Sequence, residues 1–159
     1  DIGQTEQYLY YVLKGIARKF LYKGKHEVIT HIFSEGSITG SAASFFDGNP
    51  SKYVVEAIES TSALALSKQN LEILYQSDKR WEKIGRMVTT HFLLQQEYRM
   101  LDNIRFSIRE RFIRFMNENP DLLQRVPQKY LASYLNIKPE TFSRLKHLMF
   151  EKSVQHHPK

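Results

Sequence analysis

The chain has 159 residues, 42% of them hydrophobic and 25% charged, which allows one ordinary domain or two small ones with a real core. It has no cysteine, and this excludes a disulfide framework, a thiolate metal site and an iron–sulfur cluster. The net charge of +6 is unevenly spread: residues 106–159 hold 10 Lys and Arg against 5 Asp and Glu, whereas residues 1–105 hold 13 against 12, so the basic surface that a nucleic acid requires sits at the C-terminal end.

No secretory signal or membrane-spanning run is visible, so a soluble cytoplasmic protein without a membrane partner is expected. Tyr8–Leu13 is apolar and aromatic, and Lys14-Gly15 turns the chain into Ile16–Tyr22. A polar turn at Lys23–His26 leads to a third run, Val28–Phe33. Short strands rich in aromatic and β-branched residues, spaced by glycine turns, indicate an antiparallel roll. Asp47-Gly48-Asn49-Pro50 is a strong turn signal, and Tyr53–Ile58 and Ala63–Leu66 supply two more strands. Ser67 is placed to cap a helix over Lys68–Tyr75.

A long helix follows over Lys79–Asn103, interrupted only by Gly85. Ile84, Met87, His91, Leu94, Tyr98 and Leu101 recur at spacings of three and four, a heptad seam. Trp81, Val88, Phe92 and Gln95 form a second stripe, facing the roll. Two faces on one helix point to packing on its own domain and on a second copy. Phe106–Asn117 reads as an amphipathic helix with Ile108, Phe112, Ile113 and Met116 inward, ended by Asn119-Pro120. The junction at Asp102–Phe106 is the expected hinge.

The segment Pro127–Leu148 reads as two short helices around a tight turn. Leu131, Ala132 and Leu135 share one face of the first, and Asn136 tolerates the left-handed backbone that a sharp turn needs. Ile137 plugs the corner, Pro139 suits the first position of a helix, and Phe142, Leu145 and Leu148 face inward. This is the pattern of a helix-turn-helix. The outward face of the second helix offers Lys138, Glu140, Thr141, Ser143, Arg144 and His147, and Gln128 and Lys129 open the first. Arginine reads guanine with two hydrogen bonds, glutamate accepts from cytosine, and threonine touches a thymine methyl. Lys138 stands where an N-capping Ser or Thr is usual and opposes the helix dipole, a loss that a DNA phosphate contact would offset.

The run Ser107–Arg111, then Asn119–Leu135, then Ile137, Pro139-Glu140-Thr141 and Ser143-Arg144-Leu145, closely resembles the DNA-binding end of the catabolite-activator (Crp/Fnr) family of bacterial transcription regulators. The upstream run LYYVLKGIARKF resembles a hairpin of that family's cyclic-nucleotide-binding roll. The resemblance implies an α+β chain: an N-terminally incomplete antiparallel β-roll sensor over 1–76, a dimerisation helix over 77–104, and a winged helix-turn-helix over 105–159. It also implies a homodimer on double-stranded DNA, with RNA polymerase as a further candidate partner. The wing after the second helix is absent or incomplete, and His156-His157 reads as a tail and not as a metal site.

By the same resemblance, Ser34–Ala43 occupies the place of the phosphate-binding cassette. An ungapped alignment from Gly40 puts Ser41 at the glutamate that holds ribose, and Ser51-Lys52 at the Arg-Ser pair that holds phosphate. Both charged anchors are lost, and Lys52 lacks the arginine fork. The usual mode of cyclic AMP binding is therefore not expected at Gly40, Ser41, Ala42, Ser51 and Lys52. The pocket holds either another small-molecule effector or nothing, and no cofactor or metal is required. Pro139 replaces the family's usual base-reading arginine before the glutamate, so a different target sequence is expected. No Gly-x-Ser-x-Gly elbow, P-loop, His-Glu-x-x-His or Gly-x-Gly-x-x-Gly occurs, and an enzyme is not expected. The alternative is a ligand-binding or protein-interaction module whose helix-turn-helix does not bind DNA.

Overall fold

The computed structural model describes residues 1–154 and divides into two compact units, Asp1–Leu94 and Gln95 onward. In the first unit, six strands form two three-stranded antiparallel sheets. Their elements in order are β1 (Tyr8–Lys14), β2 (Ala17–Lys23), β3 (His26–Phe33), β4 (Ile38–Thr39), the short helix α1 (Ala42–Asp47), β5 (Val54–Ala57) and β6 (Ser62–Ser67). The sheets have strand orders β4-β1-β6 and β3-β2-β5. Val12, Ile16, Ala17, Phe20, Ile29, Phe33 and Phe45 form the buried core.

One expectation is corrected here. β1 and β2 do not form a hairpin with each other, because they lie in different sheets. Gly15 is the corner between them. It has φ +99°, and a Cβ there would stand 2.6 Å from the Ser60 carbonyl oxygen and 2.7 Å from Thr61 Cα. Only glycine fits a positive φ against backbone that close. The true hairpin is β2–β3, turned by Gly24 at φ +64°. β3 begins at His26, earlier than the apolar run, because Glu27 pairs with Tyr22 in the ladder and accepts a bond from the Arg18 guanidinium.

Helix α2 (Lys68–Ser77) starts as expected, with Ser67 Oγ accepting the Asn70 N–H at 3.1 Å. Helix α3 (Lys79–Arg105) runs through both units. Its Gly85 lies against the Tyr75 ring of α2, where a Cβ would overlap the ring. That contact explains the glycine inside an otherwise uninterrupted helix.

The second unit contains the end of α3, then α4 (Ile108–Glu118), α5 (Leu122–Arg125), α6 (Gln128–Tyr134) and α7 (Pro139–Val154). Phe112, Phe115, Met116, Leu122, Val126, Leu131, Ala132, Leu135 and Phe142 are its buried core, with Phe112 and Phe142 edge to face at 5.1 Å. Ile108 does not face inward as expected; it is 47% exposed, and Phe115 is buried in that helix instead. The helix begins two residues later than the apolar pattern suggests, with Ser107 as its N-cap. Leu148, read as inward, is 44% exposed. The boundary between the two compact units falls inside α3, and Asp102 and Asn103 are bonded to Arg114 and Arg111 of α4. No strand follows α7 among the described residues, and His156-His157 lie outside them.

A capping box starts α4. Ser107 Oγ accepts the Glu110 N–H at 3.3 Å, and the Glu110 carboxylate accepts from the Ser107 N–H at 2.9 Å and hydroxyl at 2.7 Å. The side-chain bond, then the backbone bond, from Ser107 holds the Glu110 carboxyl below its ordinary 4.5. A depressed carboxylate stabilises the fold fully above its unfolded value, and that contribution is lost as pH falls through the folded one. The melting temperature of the wild type is therefore expected to fall more steeply than that of Ser107→Ala as pH is lowered from about 5 to about 3, as calorimetry across that range would show.

Candidate functional site

Two regions carry the chemistry. In the first, α6 ends at Leu135 and the chain reverses within three residues. Asn136 takes the expected left-handed conformation at φ +56°. The Asn136 N–H donates to the Ser133 carbonyl and the Ile137 N–H to the Ala132 carbonyl, both at 3.0 Å. Ala132 has no exposed surface, as a close crossing of two helices requires. Phe142 is fully buried on the inner side of α7, so the outer side is left to Lys138, Glu140, Ser143, Arg144 and His147, all exposed. Thr141, expected on that face, is only half-exposed. Pro139, Glu140, Ser143, Arg144, His147 and Leu148 line one shallow, open groove along α7. Gln128 and Lys129 are exposed at the start of α6.

The helix pair is anchored to the end of α3. The Arg99 guanidinium stands 4.4 Å over the Tyr134 ring and donates to the Tyr134 carbonyl at 3.4 Å. Arg114 pairs with Asp102 at 3.3 Å and lies 4.6 Å over the Phe106 ring. These contacts were not foreseen, because nothing in the local sequence pattern pairs Arg99 with a residue 35 positions on.

On α3 itself the heptad residues Ile84, Met87, Leu94, Tyr98 and Leu101 are 39–61% exposed, and His91 is exposed with them. Of the second stripe, Val88 and Phe92 are half-buried, while Trp81 and Gln95 are exposed and correct that expectation.

The second region is the segment from Gly40 to Ser51. Gly40 has φ +137°, and a Cβ there would be 3.2 Å from the Tyr8 carbonyl. Ser41 precedes α1 and is buried; its N–H donates to Glu6 Oε2 at 3.3 Å. Ser51 is buried too, its hydroxyl donating to the Tyr53 carbonyl at 2.9 Å and accepting the Tyr53 N–H at 3.0 Å. Its backbone pairs with Gly3 and Gln4, both at 2.9 Å. Ser44 Oγ accepts the Glu6 N–H at 2.9 Å and donates to the Asn49 carbonyl at 2.5 Å. Gly40 and Ser41 thus lie beside Tyr8 and Glu6, and Ser51 beside Gly3 and Gln4, while Ala42 and Lys52 stay exposed. Glu6 and Ser44 were missed; they become visible only once residues 3–6 are laid against the turn.

Residues 2–78 match the family model of the cyclic nucleotide-binding domain. The roll is a cyclic-nucleotide-binding fold. No curated protein matches the sequence. The chain is similar in structure to FixK2 from Bradyrhizobium japonicum, with a TM-score of 0.77 and 21% identity over 92% of this chain and 76% of that one. It is also similar to the catabolite activator protein of Thermus thermophilus, with a TM-score of 0.52 and 24% identity over 96% and 74%. The c-di-GMP-responsive global regulator CLP of Xanthomonas campestris gives a TM-score of 0.63 and 16% identity over 99% and 84%. At such identities the likeness is one of fold. No helix among the described residues is long and apolar enough to cross a membrane.

The Asn136 turn is expected to be conformationally selective. Asn136→Ala places a β-carbon in the left-handed region at a cost of roughly 1–2 kcal/mol, while Asn136→Gly stays near wild type; denaturant unfolding of both variants measures the difference.

Proposed function

We propose that this chain is a sequence-specific DNA-binding transcription regulator of the Crp/Fnr type, acting as a homodimer with a degenerate cyclic-nucleotide pocket. The observation that carries this reading is the α6–turn–α7 pair, whose second helix buries Phe142 and turns Lys138, Glu140, Ser143, Arg144 and His147 outward. The structure belongs with the basic end of the chain, where phosphate contacts need the charge. α7 is the recognition helix, with Arg144 first and Glu140 next as base-reading residues. Lys138, Gln128 and Lys129 touch phosphates. The heptad seam of α3 pairs two copies in parallel and sets two recognition helices about one DNA turn, roughly 34 Å, apart.

The pocket reading agrees with the cassette geometry. The acid and the arginine of the family pattern are replaced by Ser41 and Ser51; the Ser41 N–H and the Ser51 hydroxyl are engaged within the chain. α3 is the continuous path from roll to helix pair, so any signal from the roll travels along it.

Salt-titrated binding to DNA separates this reading from a module that does not bind DNA, since a regulator shows steep salt dependence together with sequence preference. Arg144→Ala is expected to weaken specific binding by about 1–3 kcal/mol per half-site and to spare random DNA, and Lys138→Thr to reduce the salt slope by about 1. Equal loss on both DNAs reassigns Arg144 to a phosphate. Leu94→Asp at the seam is expected to shift the protein to a monomer in sedimentation and to abolish tight operator binding. A wild type that sediments as a monomer on and off DNA defeats the dimer.

A further inference from the structure

The residues by which α3 meets its own chain recur every seven positions. Gly85 lies against the Tyr75 ring, Phe92 is half-buried, and Arg99 covers the Tyr134 ring. Phe106 follows just past the last turn, with the Arg114 guanidinium over its ring. Each stands one residue after a seam position or its continuation, Ile84, His91, Tyr98 and Arg105, and so about 100° round the helix from it. Of these four, Arg99 is the one with a charge. A charged side chain on an inward stripe is costly unless its contacts use the charge.

The contacts of Arg99 do so. Its guanidinium lies 4.4 Å from the centre of the Tyr134 ring and donates to the Tyr134 carbonyl at 3.4 Å. Tyr134 is the last residue of α6, where carbonyls lack an intrahelical donor and the helix dipole is negative. The same ring meets the buried Phe115 of α4 at 5.7 Å. One side chain thus ties α3 to the end of α6, two residues before the left-handed turn at Asn136. Asp102 and Asn103, by contrast, join α3 to α4.

We propose that Arg99 is the positioning residue of the DNA site: it sets the direction of α7 relative to the dimer helix, and so the half-site spacing that two copies accept. This deepens the regulator reading above and rests on it. Arg99 acts through Tyr134, the Asn136 turn and the crossing at Ala132, which carry α7. Arginine suits this place because its flat guanidinium stacks on a ring and donates in its own plane; lysine keeps the charge without the flat face, and methionine keeps neither.

The chain has no cysteine, so Lys146→Cys on α7 takes a single spin label. Dipolar spin resonance on the full chain then reads the distance between the two α7 helices of a dimer without DNA. A narrow distribution is expected with Arg99 in place, a broad one in Arg99→Met, and an intermediate one in Arg99→Lys. The DNA probe is the duplex that the wild type selects from a randomised pool. On it Arg99→Met is expected to bind about tenfold more weakly, and to lose less than the wild type when base pairs are inserted between the half-sites. Binding to random duplex and the salt slope stay unchanged, because no phosphate contact is removed. An unchanged distance distribution and spacing preference in a folded Arg99→Met, or in Arg99→Lys where the first does not fold, overturns the proposal with the dimer intact. Equal loss on selected and random duplex makes Arg99 a phosphate contact and overturns it too. A wild type that gives no distance between labels, or selects no duplex, overturns the regulator reading and this proposal with it, so the two failures are told apart.

Discussion

A single backbone conformation governs the C-terminal unit. Asn136 at φ +56° lets the chain reverse between α6 and α7 in three residues, and the Ile137 N–H closes the reversal on the Ala132 carbonyl. Because Ala132 has no exposed surface and no bulk beyond its methyl, the helices cross closely there. The crossing places Phe142 against Phe112, which fixes the rotation of α7 about its own axis. Once that rotation is fixed, the residues at Lys138, Glu140, Ser143, Arg144 and His147 have only one direction left, outward. The polar face is thus a consequence of the turn and the core, set by the packing of a few apolar side chains.

On the proposed reading, the roll keeps a fold while its electrostatics change. Gly40 shapes the turn before α1: a Cβ there would stand 3.2 Å from the Tyr8 carbonyl, and φ is +137°. On the proposed reading, the charges of the family pattern are not kept. The segment Gly3–Glu6 pairs with Ser41, Ser44 and Ser51, so the donors that shape a phosphate site are satisfied from within the chain. Shape is held by backbone geometry and burial, which tolerate such replacements. Ligand choice is held by a few side chains, which do not.

This difference also explains what could be read from the sequence. Residues whose role is local were legible: Ser67 as a cap, Asn136 as a turn, Pro139 as a helix start. The capping box at Ser107 and Glu110 was equally local and carried its signal in the three-residue spacing of Ser and Glu. Residues whose role depends on distant chain were not legible. Alternation of side chains is the same in a hairpin and in two strands that leave for different sheets, so β1 and β2 were paired wrongly. The deciding contact is between Gly15 and Ser60-Thr61, some 45 residues apart, as the Thr61 hydroxyl bond to Ile16 shows. Ile108 and Leu148 failed for a related reason: each matches a helical spacing, but the buried arc of a helix is set by its neighbours and covers less than the spacing admits.

The long helix joins these two kinds of information. Its seam of Ile84, Met87, Leu94, Tyr98 and Leu101 lies open in a single chain, and apolar area left in water costs about 25 cal/mol per Å². Five such side chains in heptad register offer a partner helix a continuous stripe, whereas scattered exposed apolar residues would not. The same helix ends in Arg99, Asp102 and Asn103, which are bonded to α6 and α4. A helix whose last turns are bonded to α4 and α6 cannot rotate there without carrying the α6–α7 pair with it. On the proposed reading, the orientation of α7 is therefore inherited from the pairing of α3, and Arg99 on Tyr134 is the joint through which it is inherited.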